Sequence, residues 1–258
     1  MLDHIKRFDE FYSKKQGRFW LDGVDDYWTK KAYNDRNKRI CEIVDGIKSQ
    51  SILDIGCGTG DLVMMLKGDS RMIVGVEPSG VNATKFKDNT GVPVSMCMAE
   101  MLLIPNSIIT MPKKTFDVAI MADVIEHVVD APKAVQEALR VIKVNGYLII
   151  TTPNKSAEIL WGFGSKRMFV KSKVKDSLFT RKSLAKVINK ASMPYCSGYI
   201  AGKLSTLTSH TIEGIYPRSR ILSWLFNPKS NAMMSILRWL GSFEFLRYRQ
   251  YVIIRKAR

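Results

Sequence analysis

The stretch SILDIGCGTGDLV, residues 51–63, constrains this chain more than any other. A short apolar run leads into three glycines spaced two apart, Gly56, Gly58 and Gly60, and a helical pattern starts at Asp61. Strand, tight turn and helix in that order begin a βαβ unit. Glycine permits positive φ and lets a ligand approach the main chain closely. The first turn of the helix aims its free amides at the same point. The stretch therefore predicts an α/β fold with a ligand site at the turn.

The rest of the chain repeats this rhythm. SILDI (51–55), MIVGVE (72–77), VPVSMC (92–97), FDVAIM (116–121) and GYLIITT (146–152) read as buried strands. Residues 61–68, 80–88 and 131–143 read as the helices between them. Such alternation predicts a doubly wound, mostly parallel sheet. After Pro153 the rhythm weakens: SLFTRKSLAKVINKAS (177–192) is a helix, YCSGYIAG (195–202) a strand and RQYVIIRK (249–256) the final strand. The predicted organisation is a helical cap over 1–48, an α/β core over 49–202, a basic amphipathic insertion or lid over 203–247 and a last core strand over 248–258.

Composition narrows the class. With 46% hydrophobic residues the chain can bury a sizeable core. The N-terminal residues are charged with no apolar h-region after them, and no apolar run reaches the roughly 18 residues of a membrane span. The four cysteines form no CxxC pair, so a cytoplasmic protein without a disulfide framework or zinc site is expected. Residues 1–154 hold 20 basic and 20 acidic residues, whereas 155–258 hold 20 basic residues and four acids. The net charge of +16 thus lies wholly in the last 104 residues. This points either to an anionic partner or to a solvated basic surface that keeps the protein soluble.

The glycine spacing separates two ligand classes. Dinucleotide folds use G-x-G-x-x-G and set a pyrophosphate on the helix N-terminus. Here the spacing is G-x-G-x-G, and Asp61 takes the sixth place. A carboxylate there repels a pyrophosphate but tolerates a phosphate-free ligand with an ammonium and a sulfonium. No G-K-[ST] follows, which excludes a P-loop.

Asp54-Ile55-Gly56-Cys57-Gly58-Thr59-Gly60 resembles the first motif of class I S-adenosylmethionine-dependent methyltransferases. Residues 116–154, SLFTRKSLAKVINKAS and YVIIRKA are similar to the subgroup of ubiquinone-biosynthesis O-methyltransferases. The resemblance covers about residues 45–200 and the C-terminus; it implies a Rossmann-like, seven-stranded sheet with an antiparallel last strand. It also implies a cofactor site at Asp54, Gly56, Cys57, Gly58, Gly60, Glu77, Pro78, Met98, Ala99 and Asp123. Asp54 orders the loop and meets the methionine ammonium; Glu77 holds the ribose diol, for which two acceptor oxygens suit. Relatives carry an acid where this chain has Met98, so adenine is expected to rest on Met98 and be read by the backbone near Ala99.

Asp123-Val124-Ile125-Glu126-His127 follows the fourth strand, on the side where ligands bind in open α/β sheets. A helix starting at Asp123 would put Asp123, Glu126 and His127 on one face. Three readings stay open. His127 is a general base; or Asp123, Glu126 and His127 hold Mg²⁺ that acidifies a hydroxyl, which the resemblance favours; or Glu126 and His127 merely cap the helix start. No Asn/Asp-Pro-Pro-aromatic run follows the fourth strand, and Pro153 is followed by Asn154 rather than a nucleophilic cysteine, which counts against a nucleic-acid base as the acceptor.

The resemblance thus implies O-methylation of a small apolar or lipid-like acceptor, such as a quinone precursor or glycolipid. Trp224, Leu225, Phe226, Trp239, Leu240 and Phe243 beside Lys229, Arg238, Arg247 and Arg249 suit peripheral contact with an anionic membrane. A lid packed on the sheet explains the same residues. The alternative function is an RNA-associated methyltransferase or a non-catalytic cofactor-binding platform built on the basic half.

Overall fold

A computed structural model describes residues 6, 9–10, 22, 27–68, 70–155, 178–192, 211–212 and 249–256. Helix α1 (Tyr27–Ile47) precedes β1 (Ser51–Ile55), α2 (Asp61–Leu66), β2 (Met72–Val76), α3 (Gly80–Thr90) and β3 (Val94–Ser95). Then come β4 (Phe116–Ala122), α4 (Ala131–Val141), β5 (Ile142–Pro153), α5 (Arg181–Ser192), β6 (Thr211–Ile212) and β7 (Arg249–Arg255).

The strands form one seven-stranded sheet in the order β3-β2-β1-β4-β5-β7-β6. All pairs from β3 to β5 are parallel, and β7 runs antiparallel to both β5 and β6. The expected architecture is therefore present. Its edges are slighter than the sequence suggests, because β3 and β6 have two residues each. Strand β6 lies inside the span read as an insertion, and the strand expected at 195–202 lies outside the described residues, as do the apolar clusters of 221–246.

Period-two alternation sorts the strand side chains between two cores. Leu53, Ile55, Ala119, Met121, Leu148 and Ile150 pack against Val135, Leu139, Leu184 and Ile188 of α4 and α5. Ile52, Val118, Ile120 and Ile149 join Ile40 and Val44 of α1, Val63 and Leu66 of α2, and Phe86 of α3. Helices thus cover both faces, which explains why β1 has all five residues buried and reads as an unbroken apolar run. The chain direction across the sheet reverses between β1 and β4, and ligands bind beyond the carboxyl ends of strands at such a switch point.

Candidate active site

The bend after β1 is closed by main-chain bonds. The Gly56 and Cys57 amides donate to the Val76 carbonyl at 2.7 and 3.0 Å, and Gly60 N–H to the Cys57 carbonyl at 3.1 Å. Gly56 has φ +72°, and a Cβ there would collide with the Val124 side chain. Gly60, at φ +95°, precedes α2, and a Cβ on it would lie 2.5 Å from the Thr90 methyl. Both positions require glycine.

Glu77 follows β2 and spans two amides. Its Oε2 accepts from Gly58 N–H and its Oε1 from Ser79 N–H, each at 3.0 Å. Burial pushes its pKa up to about 7, opposed by the hydrogen bonds from Ser79, Gly58 and Asn82. The Ser79 hydroxyl caps α3 and donates to Asp9 Oδ1 at 2.6 Å. Asp54 is 1% exposed, and its Oδ2 has no hydrogen-bond partner. Burial raises its pKa to about 7, with Arg36 pulling it down and Glu77 pushing it up. Its Oδ2 thus keeps unused accepting capacity, although Asp54 is not among the residues that line the cleft.

Asp123 sits after β4 at φ +58°. Its amide donates to the Thr151 carbonyl at 3.0 Å, and the Thr151 hydroxyl donates to Oδ1 at 3.0 Å. Arg36 Nη1 donates to Oδ2 at 3.0 Å and to the Ala122 carbonyl at 3.3 Å. Arg36 is itself buried, lies 4.7 Å over the Tyr33 ring and is oriented by Asn37 Oδ1. No helix starts at Asp123. The His127 amide closes a turn on the Val124 carbonyl, and α4 waits for Asp130, whose side chain caps it with Pro132 in the first turn. The expected helical face of Asp123, Glu126 and His127 therefore does not form.

Glu126 is buried and accepts from the Thr152 hydroxyl at 2.9 Å. Burial and the charge of Asp123 raise its pKa to about 7, while His127 lowers it. The residues do not fit the expected Mg²⁺ at Asp123, Glu126 and His127. Among the described residues no three His, Cys, Asp or Glu side chains group to hold a metal. Arg36 already supplies the positive charge at Asp123, and Glu126 is committed to Thr152.

One cleft gathers Gly56, Glu77, Pro78, Met98, Ala99, Asp123 and His127, together with Glu100, Val124 and Val128. Gly58 touches this group through Glu77, whereas Cys57 packs with Phe86 in the second core and burial raises its thiol. The sequence reading missed Arg36, Glu100, Thr151 and Thr152. Arg36 belongs to a polar helix pattern with no motif around it, so nothing in the sequence singles it out. Glu100 directly follows Met98 and Ala99, and an acid at that place carries no motif of its own.

A family model described as "Methyltransferase domain" matches residues 12–191. The chain belongs to the class I S-adenosylmethionine-dependent methyltransferases. The methyltransferase is 28% identical over 125 residues to a ubiquinone biosynthesis O-methyltransferase of Bradyrhizobium diazoefficiens, a match covering 47% of this chain and 46% of that one. It is 32% identical over 178 residues to an uncharacterized protein of Methanocaldococcus jannaschii, covering 65% and 66% of the two chains. The matched span is thus about half the length of the curated O-methyltransferases. Among solved structures, a methyltransferase of Thermotoga maritima shares the fold with a TM-score of 0.56 at 24% identity, covering 74% and 81% of the two chains. The 1,6-didemethyltoxoflavin-N1-methyltransferase of Burkholderia thailandensis, solved with S-adenosylhomocysteine, gives 0.56 at 14% identity, covering 100% of this chain and 89% of that one.

Proposed function

We propose that the methyltransferase transfers the methyl group of S-adenosylmethionine to a hydroxyl of a small apolar acceptor of the quinone-precursor kind. The observation that carries the cofactor site is Asp54, whose buried, unpartnered Oδ2 waits beside the glycine bend and Glu77. The resemblance to ubiquinone biosynthesis O-methyltransferases supports a hydroxyl as the accepting group.

When bound, the cofactor supplies a methyl already activated on a sulfonium. The chain's own residues do the rest. Gly58, whose Cβ position is open, leaves room for a ligand against the backbone, while Gly56 and Gly60 let the bend pack on Val124 and Thr90 and Cys57 packs beneath it. Asp54 Oδ2 would accept from the methionine ammonium. Glu77 would accept from the ribose hydroxyls, and Pro78, Met98 and Ala99 would flank the base. Asp123 shapes the methionine end. His127, which lines the cleft, takes the proton of the acceptor hydroxyl. An ionised Glu126 stabilises the charge His127 then carries, as their mutual attraction indicates.

The test offers methyl-labelled S-adenosylmethionine and a panel of phenols and catechols to the full chain. A labelled ether should form, and His127→Ala should slow it by about 100-fold or more with S-adenosylhomocysteine affinity unchanged. Equal turnover in His127→Ala would remove the base assignment.

A further inference from the structure

Ile108 is 93% exposed, more than any other large apolar side chain among the described residues, and its neighbour Ile109 is 63% exposed. Both sit near the tip of a hairpin, 102–111, paired through the bridge of Leu103 with Thr110. The hairpin is anchored at its root. Leu102 and Met111 are buried in the first core, and Met111 N–H donates to the Leu102 carbonyl at 2.8 Å. Helix α4 clasps both ends: Glu137 Oε2 accepts from Leu102 N–H at 3.4 Å, and Arg140 Nη1 donates to the Met111 carbonyl. Farther out, Ile104 N–H donates to the Ile109 carbonyl at 2.9 Å, and Asn106 at φ +57° turns the chain. Main-chain bonds thus shape a tip whose two isoleucines face solvent, and removing them from water is favourable.

Charge indicates what covers them. Residues 101–116 contain no acid, and Lys113 and Lys114 at the hairpin's root are both exposed. Glu137, the acid that reaches the root, is neutralised by Arg140 at 2.8 Å. The chain from Ile109 to Lys113 spans at most about 13 Å when extended, close to the roughly 10 Å over which a cation feels an anionic surface. An apolar tip, then uncharged Asn106, Ser107 and Thr110, then lysines, is the order met in crossing from the acyl boundary to anionic headgroups. A protein partner would instead be met by aromatic and arginine anchors, with lysine depleted.

We propose that the 102–111 hairpin is an interfacial anchor: Ile108 and Ile109 enter the headgroup boundary of an anionic phospholipid bilayer, and Lys113 and Lys114 meet its phosphates. This is independent of the chemistry in the cleft.

Flotation of the full chain with vesicles of phosphatidylcholine, alone or mixed with phosphatidylglycerol, tests it. The native protein should bind the anionic vesicles and leave them as salt rises. Ile108→Ser with Ile109→Ser, at exposed positions where folding is little affected, should weaken partitioning at least about tenfold. Ile108→Leu with Ile109→Leu should keep it, and Lys113→Gln with Lys114→Gln should weaken it on the anionic vesicles. Equal partitioning of the native and serine variants would overturn the proposal, as would a native protein that binds neither vesicle. A native dimer that the serine variant splits in the ultracentrifuge, with no vesicle binding, would overturn it in favour of a second copy of the chain.

Discussion

Asp54 and Glu77 show how a binding site opposes its own fold at the scale of single residues. Each is buried as a carboxylate, and burial raises each pKa to about 7, as it does for Glu126. Free carboxylates titrate near 4, so between about pH 4 and 7 the folded state binds more protons than the unfolded state. The stability these groups contribute is full below pH 4 and is lost as pH rises through 7. Urea unfolding of the ligand-free protein should thus show falling stability across that window. Asp54→Asn, which removes the charge, should flatten the fall and raise stability at pH 8, while S-adenosylhomocysteine affinity drops at least about tenfold. A steeper fall in Asp54→Asn would contradict this.

At the scale of elements, a buried ion pair ties α1 to the carboxyl end of the central strand β4, beside the apolar packing of Ile40 and Val44. Arg36 and Asp123 have side chains 8% exposed each, and their contact links residues 87 apart in the chain. Removing one partner leaves a charge in the interior, which costs about 3–5 kcal/mol, whereas replacing both is far milder. Arg36→Met should therefore destabilise strongly, and Arg36→Met with Asp123→Asn should recover much of the loss in a double-mutant cycle of unfolding energies. Additive effects would mean that Arg36 and Asp123 are not coupled. Sequence periodicity marked α1 as a helix because Ile40 and Val44 recur on its apolar side. It could not mark Arg36, since a contact between distant residues leaves no local pattern. The helix expected from Asp123 failed for a related reason: left-handed backbone at an aspartate and the Asp130-Pro132 start are local chemistry that apolar spacing does not report.

Across the whole molecule, the buried strands were legible because each reads as an apolar run bounded by turn residues, while their order across the sheet left no mark in those runs. Gly56, Glu77, Met98 and Asp123, which the resemblance named, line one cleft because open parallel sheets gather the ends of successive strands. Strand length at β3 and β6 was not legible, because edge pairing depends on the neighbour more than on propensity. No helix among the described residues is long and apolar enough to cross a membrane; the basic clusters of 221–246 lie outside those residues, and their membrane contact stays a proposal. The central claim is that S-adenosylmethionine occupies the cleft between the glycine bend and Glu77. Calorimetric titration of S-adenosylhomocysteine into the native chain and into Glu77→Ala tests it most directly. One site should appear in the native protein and weaken at least about tenfold in the variant; equal affinity in both, or binding of NAD in its place, would contradict the account.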